Sequence, residues 1–189
     1  MTTYTKTWRN NVWLVWFTIQ VPIILLIDAL EFYPKWLHES PGAPLHLFAT
    51  VQKEHIAKYN DPIVQWSRET ASGHDSWMGL FLYLEFAFTL PTVLYALYRF
   101  GVKRTGTSGA DELLFLLYGF ETALTTLVCI HDSFYWDDAV YSAEVKRTFQ
   151  VNFFGPWFVI PTLVFIDMAS RILSRIRVAD AALAGKKVQ

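Results

Sequence analysis

"FLYLEFAFTL", residues 81–90, sets one carboxylate, Glu85, among nine apolar or small residues. Such a run is either a buried core helix or a membrane span, and its surroundings decide between them. The apolar character extends over about 77–98, close to the ~20 residues a helix needs to cross a bilayer. Three comparable runs occur, at about 12–30, 113–130 and 149–173. A soluble helix carries polar residues every few positions on its outer face, and these runs do not. Hydrophobic residues make up 53% and aromatic residues 17% of the 189, both high for a soluble domain of this size. The sequence predicts an all-α fold: a four-transmembrane-helix bundle in a single membrane domain, 1–189, with short helices in the first loop and a tail over 174–189. Trp8, Trp13, Trp16, Tyr98, Tyr118, Trp136 and Tyr141 lie at the run ends or within a turn or two of them, where interfacial aromatics are expected. The first run is too long, and too poor in a small-residue cleavage site, for a removed signal peptide.

Composition narrows the function classes. The formal net charge is −1, so no basic surface suggests nucleic acid. The single cysteine, Cys129, lies in an apolar run and is expected to pack in the core. There is no metal-type Cys/His spacing, and no metal or cofactor is expected.

Four spans put both termini on one side, and basic residues indicate which. The N-terminus, the second loop and the C-terminus hold ten Lys/Arg (Lys6, Arg9, Arg99, Lys103, Arg104, Arg171, Arg175, Arg177, Lys186, Lys187). The other two loops hold six, together with ten acids. The termini are therefore expected in the cytosol. The last four residues, "KKVQ", have the pattern of a dilysine retrieval signal, which agrees with residence in the endoplasmic reticulum membrane. In the first loop, "APLHLFATVQKEHIAKY" (43–59) reads as an amphipathic helix. Asp61 and Pro62 of "NDP" then suit the N-cap and first position of a short helix, "PIVQWSR". A turn at 70–76 follows, with Asp75 placed to cap the second span.

Acids within hydrocarbon are costly, about 2.5–3.5 kcal/mol each at mid-span on the mildest scales. Four occur: Asp28, Glu85, Glu121 and Asp167. Asp28 falls near the lumenal end of span 1, and Glu85 about 12 Å into span 2 from the same side, so the two can meet. Asp61, in the lumenal loop, can fold over them. Asp167 lies near the cytosol with Arg171 one turn on, which suggests a structural pair. Glu121 is near mid-span beside Thr122, Thr125 and Thr126, as suited to the deep end of a cavity as to a helix–helix hydrogen bond. Pro156 and Pro161 in span 4 and Pro91 in span 2 kink their helices, and Phe153, Phe154 and Trp157 would make flat apolar walls.

In order along the chain, "VPIILLIDAL" (21–30), "AKYNDPIVQ" (57–65), "LEFAFTLP" (84–91), "TALTTL" (122–127) and "PWFVIP" (156–161) resemble the EXPERA-domain proteins over about residues 10–175. The match is nearer to the sigma-2 receptor branch than to the emopamil-binding sterol isomerase branch. The resemblance implies a four-helix, often dimeric membrane protein of the endoplasmic reticulum with a lumenal-half cavity. It implies that Asp28 and Asp61 line that cavity, that Glu85 bonds to Asp28, and that Phe154 and Trp157 are cavity aromatics. Thr89 stands where the family has glutamine, Phe154 where it has tyrosine, and Glu121 where span 3 has histidine. The isomerase branch's His–x–x–x–Glu pair of span 1 is replaced by Ile24 and Asp28.

Two functions fit. In the first, Asp28, Asp61, Glu85, Thr89, Glu121, Phe154 and Trp157 bind a sterol, a terpenoid or a similar hydrophobic molecule. In the second, Glu85, Asp28 and Asp61 act as acid–base catalysts on a sterol, terpenoid or polyene. A neutral carboxyl would protonate an alkene or open an epoxide, leading to isomerisation, cyclisation or epoxide hydrolysis as a step of biosynthesis. The partners expected are that small molecule, the lipid bilayer and, through the resemblance, a second copy of the chain.

Overall fold

A computed structural model describes residues 7–66 and 76–186. Lys6, Lys187 and most of the expected turn at 70–76, with Asp75, lie outside those residues. Among the described residues the chain is helical, without strands. It forms α1 (Thr7–Leu26), α2 (His46–Tyr59), α3 (Ser76–Leu84), α4 (Leu90–Leu97), α5 (Gly109–Ser133), α6 (Ala143–Thr148) and α7 (Phe154–Lys186). Short 3-10 turns follow α1 at Asp28–Phe32 and Lys35–Leu37. Four stretches are long and apolar enough to cross a membrane: Trp8–Phe32, Trp77–Lys103, Gly109–Ser133 and Ala143–Gly185.

The spans carry large apolar residues on their outer faces. On α1 the buried residues are Trp13, Trp16, Phe17, Gln20 and Ile24, spaced three or four apart. Val12, Val15 and Ile19 occupy the exposed face. On span 2, Thr89, Thr92, Val93 and Ala96 are buried while Leu94 and Tyr95 are exposed. Gln20, Thr89 and Thr92 thus turn inward, while Val12, Val15, Ile19 and Leu94 face outward, as hydrocarbon solvent favours. Five of the aromatics expected at an interface, Trp13, Trp16, Tyr118, Trp136 and Tyr141, are instead buried in protein; Trp8 and Tyr98 are exposed.

Three π turns occur among the described residues, and two of them lie just before a proline; the third, Tyr98–Lys103, does not. A π turn at Glu85–Thr89 ends with Leu90 N–H donating to Glu85 C=O, five residues back. Pro91 comes next. A second π turn, Phe149–Phe153, closes on Phe154 and lies just before Pro156. Proline crowds the carbonyl four residues earlier and brings no N–H, and an inserted residue in the preceding turn relieves both demands. The cost is about a 100° rotation of everything that follows. Over its described residues, up to Trp66, the helix expected after Pro62 is a single turn: Gln65 N–H donates to Asp61 C=O (3.1 Å) and Trp66 N–H to Ile63 C=O (3.2 Å).

The chain forms two compact units. One is Leu14–Leu97; the other joins the residues up to Trp13 with those from Tyr98 onward. The core of the second is the α5–α7 pair. At Gly119 a Cβ would stand 2.7 Å from both Pro161 C=O and Phe165 N, so backbone meets backbone there. Further along, Thr126 Oγ1 lies 3.4 Å from Trp157 C=O, the carbonyl whose α-helical donor is lost at Pro161. The single hydroxyl proton is shared with Thr122 C=O at 2.8 Å.

Gly119→Ala should destabilise the protein by about 1–3 kcal/mol, because neither backbone can give way as a side chain would. Thermal unfolding in detergent should show a drop of several degrees. An unchanged melting temperature would exclude the close approach.

Candidate functional site

In the Leu14–Leu97 unit the candidate carboxylates are placed by local breaks in helix. Asp28 opens the 3-10 turn that ends α1 and is half-buried. Glu85 opens the π turn of span 2 and is also half-buried. The two breaks are docked together. Phe32, four residues after Asp28, packs edge-on against Phe86, the neighbour of Glu85, with centroids 4.8 Å apart. It also meets Tyr83 at 6.0 Å. Tyr33 Oη donates to Leu25 C=O at 3.0 Å and folds the turn back onto α1. Thr89, the last residue of the π turn, is buried, as are Thr92 one turn on and Gln20 of α1. Gln20 carried no expectation, although its spacing of eight from Asp28 puts both on one helical face. Residues 14–32 and 77–97 contain no Lys or Arg, so these carboxylates have no cationic side chain in their own spans to neutralise them.

Asp61 is 3% exposed, and its carboxylate oxygens are engaged within its own loop. Oδ1 accepts from the N–H groups of Ile63 (2.9 Å) and Val64 (3.3 Å), the capping role its position before Pro62 suggests. Oδ2 lies 2.9 Å from His55 Nε2. Asn60, in the left-handed conformation at φ 52°, ends α2 and turns the chain back so that Asp61 meets His55. The same turn carries Trp66 over the start of α3, against Gly79.

Glu121, Phe154 and Trp157 belong to the other unit. Glu121 sits between the Gly119 and Thr126 contacts of the α5–α7 seam, half-buried, and accepts from Thr122 Oγ1 at 3.2 Å. Phe154 packs among aromatics, 5.8 Å from Phe149 and 6.5 Å from Trp136. Trp157 is half-buried.

Asp167 lies in a buried ion-pair cluster. Its Oδ2 accepts from Trp13 Nε1 (2.7 Å) and pairs with Arg171 (2.8 Å), as the i, i+4 spacing suggests, and Arg9 pairs with Oδ1. Glu112 is held bidentately by Arg175 at 2.6 and 2.9 Å and accepts from Thr107 Oγ1 at 2.7 Å. Asp111 pairs with Arg99 at 2.7 Å and completes a capping box with Ser108. Asp111 and Glu112, just before the apolar run at 113–130, are 4% and 2% exposed. Four arginines here serve carboxylates, while Lys103, Arg104 and Arg177 remain exposed. Among the described residues no His, Cys, Asp and Glu group has an arrangement that could hold a metal ion.

Two comparisons with known proteins bear on this arrangement. Residues 47–168, more than half of the chain, match the family model described as EXPERA (EXPanded EBP superfamily). One relative, "Efficient mitochondria targeting-associated protein 19" of Saccharomyces cerevisiae, is 28% identical over 126 residues, 65% of this chain and 70% of that protein.

The two bonds to Asp61 Oδ1 set a stability difference between two variants. Asp61→Asn keeps an oxygen for Ile63 and Val64 and should melt close to the wild type. Asp61→Ala leaves both N–H groups unanswered and should lose about 1–2 kcal/mol. Equal melting temperatures for the two variants in detergent would remove the capping role.

Proposed function

Because the chain belongs to the EXPERA superfamily, we propose that it binds a hydrophobic small molecule, of sterol or terpenoid type, at the contact between the Asp28 turn and the Glu85 turn. The observation that carries this reading is a pair of half-buried carboxylates on docked helix breaks, in spans without a lysine or arginine. Such groups are stabilised by a bound amine or hydroxyl, or by sharing a proton. Thr89, Thr92 and Gln20 extend the polar face, and the aromatic rings of Phe32, Tyr83 and Phe86 supply apolar surface beside it. Asp61 supports the site from its loop by fixing the turn that lies over α3.

Glu121 favours a second reading. A mid-span carboxyl beside Thr122, in the other unit, is an acid that the proposed ligand contact does not use. Acid–base turnover of an alkene or epoxide would use a neutral carboxyl as proton donor and a carboxylate to stabilise the resulting cation.

One experiment separates the readings. Purified wild type, Asp28→Asn and Glu85→Gln are mixed with sterols, terpenoids and polyene epoxides, and retained and released molecules are identified by mass spectrometry. Binding predicts a ligand retained unchanged by the wild type and retained at least tenfold less by Asp28→Asn, which still folds. Equal retention by that variant would sink the binding role of Asp28. A new isomer, cyclised product or diol formed by the wild type and not by Glu85→Gln would establish the enzyme instead.

We further propose that the termini face the cytosol from the endoplasmic reticulum membrane, as the ten basic residues of the termini and second loop suggest. Engineered glycosylation sites should be modified in the 38–45 loop and remain unmodified beyond residue 186. The reverse pattern would invert the topology.

A further inference from the structure

Trp66 carries a donor that the fold does not answer. Its Nε1 is buried and has no hydrogen-bond partner among the described residues. A buried indole N–H usually finds one, and an unsatisfied buried donor costs about 1–3 kcal/mol. Other indoles of this chain follow the rule. Trp13 donates to Asp167 at 2.7 Å and Trp136 to Asp132 at 2.8 Å.

The exception is built in. A Cβ on Gly79 would lie 2.9 Å from Trp66 Cζ2 and 3.5 Å from Cη2, so the ring occupies space that only glycine leaves open. The turn that carries the ring is fixed in turn by Asp61, through Ile63, Val64 and His55. Gly79 and Tyr83 stand four apart on one face of α3. Tyr83 meets Phe32, and Phe32 meets Phe86 beside Glu85. The orphan N–H therefore lies by the face of span 2 that carries Tyr83 and Phe86, about 9 Å of helix rise from the start of the π turn at Glu85.

We propose that Trp66 Nε1 is a second polar anchor of the ligand site, donating to an acceptor oxygen on the bound molecule. Resting on the binding reading above, this narrows the ligand class. The molecule is an apolar body oxygenated at two separated points, one engaged by Asp28 and Glu85 and the other, a hydroxyl, ketone or ether oxygen, by the indole.

The test compares a steroid alcohol with the same skeleton bearing an additional ketone or hydroxyl at its far end. Retention and thermal shift are measured for the wild type and Trp66→Phe. The wild type should hold the doubly oxygenated molecule about tenfold more tightly. Trp66→Phe should lose that preference and hold the mono-alcohol as the wild type does. Without ligand it should melt no lower than the wild type, since it sheds an unanswered donor. A wild type that binds both skeletons equally overturns the proposal without any variant. So does a Trp66→Phe protein that keeps the preference, as it would if water satisfies the indole. A wild type that retains neither molecule overturns the binding reading and this anchor together.

Discussion

A charge in apolar surroundings must be answered, and this chain answers its charges in two ways. Where α5 begins and α7 nears its last third, three nearly buried carboxylates meet four arginines and an indole. Removing one member of such a set leaves its partner desolvated and unpaired, a loss of about 3–5 kcal/mol for a buried pair. The pairs also join distant parts of the chain, with Arg9 and Asp167 at opposite ends of the sequence. In the spans of the other unit no arginine or lysine is present. The polar groups there are carboxylates, hydroxyls and an amide, which hydrogen-bond without supplying positive charge. Ion pairs close the one unit; the two spans of the other hold their carboxylates without lysine or arginine.

The backbone makes a parallel distinction. Two of the three widened turns lie just before a proline, and each resets the side chains after it relative to those that begin it. Glu85 starts one such turn and Phe149 another. Phe149 lies at the centre of an aromatic cluster with Trp136, Phe153 and Phe154. The same device thus serves packing in one span and presents a carboxylate in the other.

How much of this the sequence disclosed depends on range. The four spans were legible because length and apolar content are local properties, although the helices run longer than the apolar runs, as in Phe154–Lys186. The Asp167–Arg171 pair was legible as an i, i+4 spacing, and the capping role of Asp61 as a residue before proline. His55 was not, because its bond to Asp61 depends on the chain reversing at Asn60. Asp111 and Glu112 lie outside the apolar runs, although Ser108 and Asp111 have capping-box spacing. Their arginine partners are 12 and 63 residues away, beyond any local pattern. Aromatics near run ends were read as interfacial, yet Trp13 and Trp136 are buried with their N–H groups on carboxylates. Glu121 and Trp157 fall on facing helices of one seam, a placement that spacing within either span does not reveal.

Gly119 meets the carbonyl of Pro161 and the amide of Phe165, atoms that every residue type supplies. As homologous sequences diverge, the side chain at 165 can change without disturbing that contact, while position 119 has no room to follow. The helix pairing should therefore leave a one-sided record: a fixed glycine opposite a variable partner, with no correlated exchange between them. Methods that infer contacts from paired substitutions would pass over the tightest approach in this unit.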